Sequence, residues 1–124
     1  AKKLGMNKSQ FMNASGLYNK HQKSTASDMA KLGIAIKRDY PKEYKIFNTK
    51  SFNWNGRKYK NHNNLLKSYS GTDGIKTGYI GASGFNLMAS VERNGIRLIG
   101  VVFGGKSSKR RDLHLMGLLL KVLL

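Results

Sequence analysis

Apolar and polar residues alternate most regularly between Phe85 and Glu92, where Phe85, Leu87, Ala89 and Val91 fall on one side. A period of two predicts a half-buried β-strand. Asn94-Gly95 follows as a tight turn. Ile96 to Phe103 then returns as a mostly apolar run, which reads as a buried central strand. Gly104-Gly105 stops it. Past Ser107 or Ser108, either of which can cap a helix, the spacing becomes helical. Leu113, Met116, Leu120 and Leu123 run down one side, and Leu115, Leu119 and Val122 widen the stripe. So wide an apolar arc predicts a helix mostly buried against the sheet. An amphipathic helix on a membrane surface is the alternative. It is disfavoured because Lys109-Arg110-Arg111 cluster at one end and not along a face.

The first half of the chain is more polar. Residues 1–8 read as the end of a helix, with Gly5 and Asn7 as terminators. Ser9 to Tyr18 reads as a loop, turning at Asn13, Ser15 and Gly16. Thr25-Ala26-Ser27-Asp28 has the form of a capping box. Behind it Met29, Leu32, Gly33 and Ile36 recur at helical spacing, which predicts a helix over 26–39 that Pro41 ends. Phe52 and Trp54, the turn Asn55-Gly56 and Arg57 to Tyr59 predict a hairpin, with Trp54 and Tyr59 as packing residues. Asn61 to Leu66 is a polar link leading into a short apolar step. The pattern is that of an α/β (α+β) chain: an antiparallel sheet flanked by helices. No internal repeat, low-complexity segment or linker divides it.

Composition narrows the possibilities. The 124 residues make one small domain or part of a larger one, and 40% hydrophobic residues allow a modest core. Lys and Arg number 23 against 6 Asp and Glu, a net charge of +17. Such a field attracts polyanions, or is simply a solvated basic surface. Cysteine is absent, which excludes a disulfide framework and a thiol nucleophile. His21, His62 and His114 have no companions at metal-ligand spacing and are read as non-metal residues. No stretch resembles a signal-peptide core or a transmembrane span. The chain starts without Met inside what reads as a helix, so a fragment is expected.

The densest chemistry lies in Gly71-Thr72-Asp73-Gly74-Ile75-Lys76-Thr77-Gly78-Tyr79. Lys-Thr-Gly beside a strand places an ammonium, a hydroxyl and bare backbone on one edge. That suits an anionic ligand that must approach the main chain closely, because glycine has no Cβ. A P-loop would need Gly directly before Lys-Thr, and Ile75 occupies that position.

This stretch, with Ser83-Gly84-Phe85-Asn86-Leu87-Met88-Ala89-Ser90 after it, resembles the third active-site motif of the serine D-Ala-D-Ala carboxypeptidases, the low-molecular-weight penicillin-binding proteins. The resemblance covers nearly the whole chain. Ala1-Lys2-Lys3-Leu4-Gly5-Met6 is similar to the family's helix after its Ser-x-Asn motif. Phe11-Met12-Asn13-Ala14-Ser15-Gly16-Leu17 resembles its Phe-x-Asn-x-x-Gly-Leu loop. Thr25 to Leu32 resembles its Thr-Ala-x-Asp-Met-Ala-x-Leu helix, and Asn61 to Leu66 its Asn-x-Asn-x-Leu-Leu. Five matches in order are far more specific than any one.

The resemblance implies roles by position. Lys76 supplies positive potential in the catalytic network. The Thr77 hydroxyl binds the substrate's terminal carboxylate, and Gly78 keeps the strand edge open. The Tyr79 backbone N–H contributes to the oxyanion hole. Arg111 helps to hold the carboxylate region. Ile80, where Thr is usual, and Ser83, where Ala is usual, depart from the family pattern. The resemblance also implies an extracytoplasmic hydrolase with a β-lactamase/transpeptidase-like fold and no metal or organic cofactor. Its partners would be peptidoglycan stem peptides as substrate and β-lactams as inhibitors, with no specific nucleic acid. Any membrane association would come through parts not in this chain.

Acylation requires a Ser-x-x-Lys pair facing one way on a helical turn, and these 124 residues contain none. Ser51-Phe52-Asn53 fits Ser-x-Asn formally but lies in the predicted hairpin. The expectation is therefore the C-terminal portion of a transpeptidase domain, spanning 1–124. It carries the Lys-Thr-Gly wall, lacks the nucleophile and is inactive alone. Two alternatives stand beside it: a small basic module that binds nucleic acid or anionic wall polymer, and a truncated pseudo-enzyme.

Overall fold

A computed structural model describes residues 1–123. Residues 2–4 form a single 3₁₀ turn, which Gly5 ends at φ 71°. The predicted helix is α1, Ala26–Asp39. Thr25 caps it, its hydroxyl accepting the Asp28 N–H at 3.1 Å. Only this half of the expected box forms. The Asp28 carboxylate turns instead to the preceding loop, where it accepts from the Lys8 N–H at 2.9 Å and the Ser9 hydroxyl at 2.8 Å. The capping residue thereby fastens the 9–18 loop to the helix.

Pro41 both ends α1 and opens a second short helix, α2 (Pro41–Tyr44), followed by a 3₁₀ turn over Lys45–Asn48. Proline's missing N–H and fixed φ suit the first helical position. The hairpin is β1 (Ser51–Trp54) paired with β2 (Arg57–Lys60), and Phe52 stacks on Tyr59 at 5.3 Å between centroids. The ribbon lies on the surface, so the packing expected of Trp54 and Tyr59 fails. Trp54 is 69% exposed, and Tyr59 packs only within the hairpin, against Phe52 and beneath the Arg57 guanidinium. A two-stranded ribbon has no further layer to bury its apolar face. One turn of helix, α3 (Leu65–Ser68), completes this region.

The main sheet has the order β3–β4–β5: Thr72–Ile80, Gly84–Arg93 and Ile96–Gly105, all antiparallel. The Lys-Thr-Gly triplet does not lie beside a strand but within β3. Thr72, Ile75, Thr77, Tyr79 and Ile80 favour strands, whereas Asp73, Gly74, Lys76 and Gly78 do not, and pairing with β4 carries these into the strand. β4, not β5, is the central strand. Both of its faces are covered, so Leu87 through Val91 are buried without a break. Leu87, Ala89 and Val91 pack with Leu65, Leu115 and Leu119. Met88 packs on the opposite face with Tyr44 and Ile75, against Met29 and Ile36 of α1. β5 is apolar for the same reason, a helix on each side: Leu98 and Val102 join the first cluster, Ile99 and Val101 the second.

Two glycines set the helix-to-sheet distances. A Cβ on Gly33 of α1 would stand 2.8 Å from the Met88 sulfur. One on Gly100 of β5 would stand 2.5 Å from a Leu115 methyl. The final helix is α4, Ser108–Leu123, with the Ser107 hydroxyl accepting the Arg110 N–H at 3.1 Å. Its buried stripe is Arg111, Asp112, Leu115 and Leu119. The expectation of a mostly buried helix is corrected here. Leu113, Leu118, Leu120 and Val122 remain exposed, because the sheet covers one side of the helix only. No helix among the described residues is long and apolar enough to cross a membrane.

Candidate active-site wall

β3 is an edge strand, paired with β4 on one side only. Its other edge carries unpaired backbone groups able to hydrogen-bond an extended chain. Along that edge runs an open cleft of about 840 Å³. Lys76, Thr77, Gly78 and Tyr79 line it, and Arg111 enters from the first turn of α4. All five residues singled out by the sequence thus meet in one cavity. Lys60, His62 and Phe85 complete much of the wall, and no carboxylate side chain lines it.

The polar groups here are unequally committed. The Lys76 ammonium donates to the Thr77 carbonyl at 2.7 Å and is otherwise solvated. The Thr77 hydroxyl has no hydrogen-bond partner among the described residues. A Cβ at Gly78 would meet nothing within 4 Å, so no internal contact requires glycine there, and the space it leaves is open. The Tyr79 ring leans on Phe85 at 4.3 Å between centroids, yet stays 60% exposed.

Arg111 differs from the rest. It is 3% exposed, and Gly105 makes room for it: a Cβ at Gly105 would stand 2.9 Å from the Arg111 Cβ. Its Nε donates to Asp112 Oδ1 at 2.9 Å and its Nη1 to the Asn86 carbonyl at 3.4 Å. Nη2 also lies 2.9 Å from Asp112 Oδ1, but at an angle that makes no hydrogen bond, which leaves that buried nitrogen unsatisfied. Asp112 in turn accepts from the Asn64 side chain at 3.3 Å. A buried cation with a spare donor is costly to hold unless something accepts from it.

The two departures from the family pattern do not line this cleft. Ile80 and Ser83 line a neighbouring cavity of about 350 Å³, which shares Gly78 and Tyr79 with it. The Ser83 hydroxyl accepts from the Asn86 side chain at 2.9 Å, and Asn86 accepts from the Gly104 N–H at 2.9 Å. A larger, mainly apolar cavity of about 920 Å³, between the N-terminal turn and Phe103, shares Ser83 and Asn86 with that neighbour and Gly16 with both.

Sequence reasoning missed the groups that brace β3 from behind. Asn63, 2% exposed, donates to the Gly74 carbonyl at 3.0 Å. Asp73 accepts from Arg97 Nη1 at 2.8 Å and from the Tyr44 hydroxyl at 2.9 Å, while Arg97 Nη2 reaches Glu92 at 2.7 Å. Burial, reinforced by Asp73, pushes the Tyr44 phenol up to about 12. The second Asn of Asn61-His62-Asn63 was the available signal for Asn63. Glu92 faces Arg97 across the Asn94-Gly95 turn, but nothing local joins Arg97 or Tyr44 to Asp73, which is distant in sequence from both.

Comparison with known proteins agrees with this architecture. A family model described as peptidase S11, D-alanyl-D-alanine carboxypeptidase, matches residues 1–107. The D-alanyl-D-alanine carboxypeptidase DacA of Escherichia coli K12 is 43% identical over 110 residues, which are 88% of this chain and 27% of that protein. This chain thus spans about a quarter of the length of such curated relatives. Penicillin binding protein 5 from Haemophilus influenzae superposes with a TM-score of 0.89 at 39% identity, over 95% of this chain and 35% of that one. Penicillin-Binding Protein D2 from Listeria monocytogenes, in its cefotaxime-bound form, gives 0.81 at 30% identity, over 94% and 50%. On the extent of the sequence match and the agreement in fold, this chain belongs to the D-alanyl-D-alanine carboxypeptidase family, peptidase family S11.

Proposed function

We propose that this chain supplies the Lys-Thr-Gly wall of a serine D-Ala-D-Ala carboxypeptidase, as the C-terminal portion of its transpeptidase domain. The supporting observation is the gathering of Lys76, Thr77, Gly78, Tyr79 and Arg111 around one carboxylate-free cleft on an open strand edge. In this reading a stem peptide lies extended along β3, close against Gly78. Its terminal carboxylate accepts from the Thr77 hydroxyl, within the positive field of Lys76 and the buried Arg111. A serine from a Ser-x-x-Lys segment outside these residues attacks the penultimate D-Ala carbonyl carbon. The Tyr79 N–H is one donor to the oxyanion that forms. The peptide C–N bond breaks, and the terminal D-Ala leaves after its nitrogen takes up a proton. Water then hydrolyses the acyl-serine ester and frees the serine.

β-Lactams would enter the same cleft as inhibitors of the intact enzyme. The work would be done outside the cytoplasmic membrane, with no metal or organic cofactor and no specific nucleic acid. Any membrane attachment would lie outside this chain. The test is a titration of the chain with N-acetyl-D-Ala-D-Ala and with its C-terminal carboxamide, followed by amide chemical shifts. Shifts concentrated at Thr77, Gly78 and Tyr79 for the carboxylate form are expected. Equal binding of the two forms, or shifts elsewhere, would remove the assignment.

A further inference from the structure

The cleft adjoins, at Gly78 and Tyr79, the cavity of about 350 Å³ noted above. One wall of that cavity is the end of β3 and its turn, through Ile80, Ala82 and Ser83. The other is the segment from Tyr18 to Lys23. That segment is held in place by a two-way bridge between Gln10 and Lys23, with backbone N–H to carbonyl distances of 2.8 and 3.0 Å. The Ile80 carbonyl accepts the Ser83 N–H at 3.1 Å inside the turn, so strand alternation directs the Tyr79 N–H and carbonyl to the open edge. A peptide with its terminal carboxylate at Thr77 and its scissile carbonyl at the Tyr79 N–H therefore runs antiparallel to β3. Its next residue upstream lies past Tyr79, beside Ile80, where this cavity begins.

The lining selects by chemistry. Tyr79, Ile80 and Ala82 offer apolar surface. The Ser83 hydroxyl donates to the Gly84 carbonyl at 3.2 Å, Asn86 donates to Ser83 at 2.9 Å, and Gln22 accepts the Met12 N–H at 3.1 Å. Lys20 and Lys23 have no side-chain hydrogen bond or ion pair among the described residues, and no carboxylate lines the cavity. Their charge acts on it in any rotamer, since the flexible stem keeps each ammonium within about 8 Å, one Debye length, of the wall. The volume is near the lower limit for ligand pockets, which suits one side chain. We infer that this cavity seats the side chain immediately upstream of D-Ala-D-Ala, and that Lys20 and Lys23 make it prefer an aliphatic side chain ending in a carboxylate over one ending in an ammonium. The inference rests on the carboxypeptidase reading of the cleft and adds a specificity to it.

The experiment titrates the chain with N-acetyl-D-Ala-D-Ala and with N-acetyl-X-D-Ala-D-Ala, where X is alanine, norleucine, lysine or 2-aminoadipate, and follows amide shifts and Kd. Shifts that appear only with the longer peptides should fall at Tyr18–Lys23 and Ile80–Ser83. At low salt the aminoadipate peptide should bind roughly two- to fivefold more tightly than the lysine peptide, as for an exposed ion pair, and the gap should shrink at high salt. Lys20→Gln and Lys23→Gln should each narrow it, whereas Lys121→Gln, at the far end of α4, should not. Norleucine should bind more tightly than alanine, and Ile80→Ser should reduce that gain. New shifts at Lys60 and His62 in place of Ile80–Ser83 would overturn the subsite, because the peptide would then run the other way. Equal affinities for aminoadipate and lysine, or an equal narrowing in Lys121→Gln that traces the gap to the general field of a +17 chain, would overturn the selectivity while leaving the Thr77 cleft standing. Failure of every peptide to bind, N-acetyl-D-Ala-D-Ala included, would remove the cleft reading and the subsite together.

Discussion

The side-chain amide of Asn63 donates to the backbone carbonyl of Gly74 across 3.0 Å, joining two segments that form the cleft. One is the link between β2 and α3, which carries Asn61 and His62; the other is the strand that carries Lys76 and Thr77. The Asn63 carbonyl oxygen also accepts the Leu65 N–H at 3.2 Å. The residue thus sets the cleft's width from behind without entering it.

Asn63→Ala should leave the Gly74 carbonyl and the Leu65 N–H unpaired in a buried place. The expected loss is about 1–3 kcal/mol of stability, read from urea denaturation. Peptide affinity should weaken as well, because β3 is no longer held to the β2–α3 link. Unchanged stability would show that water or a neighbour replaces the amide.

Gly78 and Gly33 should behave oppositely. Gly78→Ala adds a methyl that meets no protein atom, so stability should stay within about 0.5 kcal/mol of the parent. Binding of a D-Ala-D-Ala peptide should nevertheless fall, because the methyl would stand on the path proposed for the peptide. Gly33→Val forces side-chain atoms against Met88, Ile75 and Ile99 and should cost about 1–3 kcal/mol. Thermal unfolding and peptide titration of both variants would separate the two effects.

Thr77→Val preserves shape and removes the hydroxyl proposed to bind the terminal carboxylate. A lost hydrogen bond to a charged group is worth about 1.5–3 kcal/mol, so affinity for the carboxylate peptide should fall roughly ten- to a hundredfold or more. Affinity for the carboxamide should move less. A β-branched residue suits a strand either way, so unfolding should be unaffected. Wild-type affinity in a folded variant would remove Thr77 from the carboxylate's partners.

Acid should unfold this protein partly through Asp28. The Ser9 hydroxyl foremost, then the Lys8 N–H and the Lys31 ammonium, hold its carboxyl below the ordinary carboxylate value, against the opposing effect of burial. A carboxyl depressed in the folded state contributes stability above its unfolded pKa of about 4. That contribution is lost as pH falls through this value towards the folded one. Asp28→Asn should be less stable at neutral pH and should show a flatter acid limb. Parallel acid limbs for the two proteins would contradict this.

Incubation of the chain alone with a labelled penicillin should give no covalent adduct on denaturing electrophoresis, since no serine in it is paired with a lysine in Ser-x-x-Lys spacing. A band competed away by unlabelled penicillin would place a nucleophile within these residues.

The elements that announced themselves in the sequence are those whose signals are local. Thr25 and the 3.6-residue spacing behind it delimited α1, and Asn55-Gly56 and Asn94-Gly95 marked both tight hairpin turns, where Asn55 and Asn94 take φ 46° and 52°. The ordered motifs pointed to the family, since each is a short string whose chemistry sits in neighbouring residues. What failed to appear was whatever depends on a second layer. β5 looked central because it is apolar on both sides, but that reflects a helix on each face, and a strand's sequence does not name its neighbours. Trp54 reads as a packing residue in the sequence, but the hairpin has nothing above it. Asp28 carried the pattern of a reciprocal cap, and only the returning loop with Ser9 decided where its carboxylate points. The cleft shared by Arg111 and Lys76 joins residues far apart in the chain. No periodicity encodes such a distance; it follows from packing α3 and α4 against the sheet.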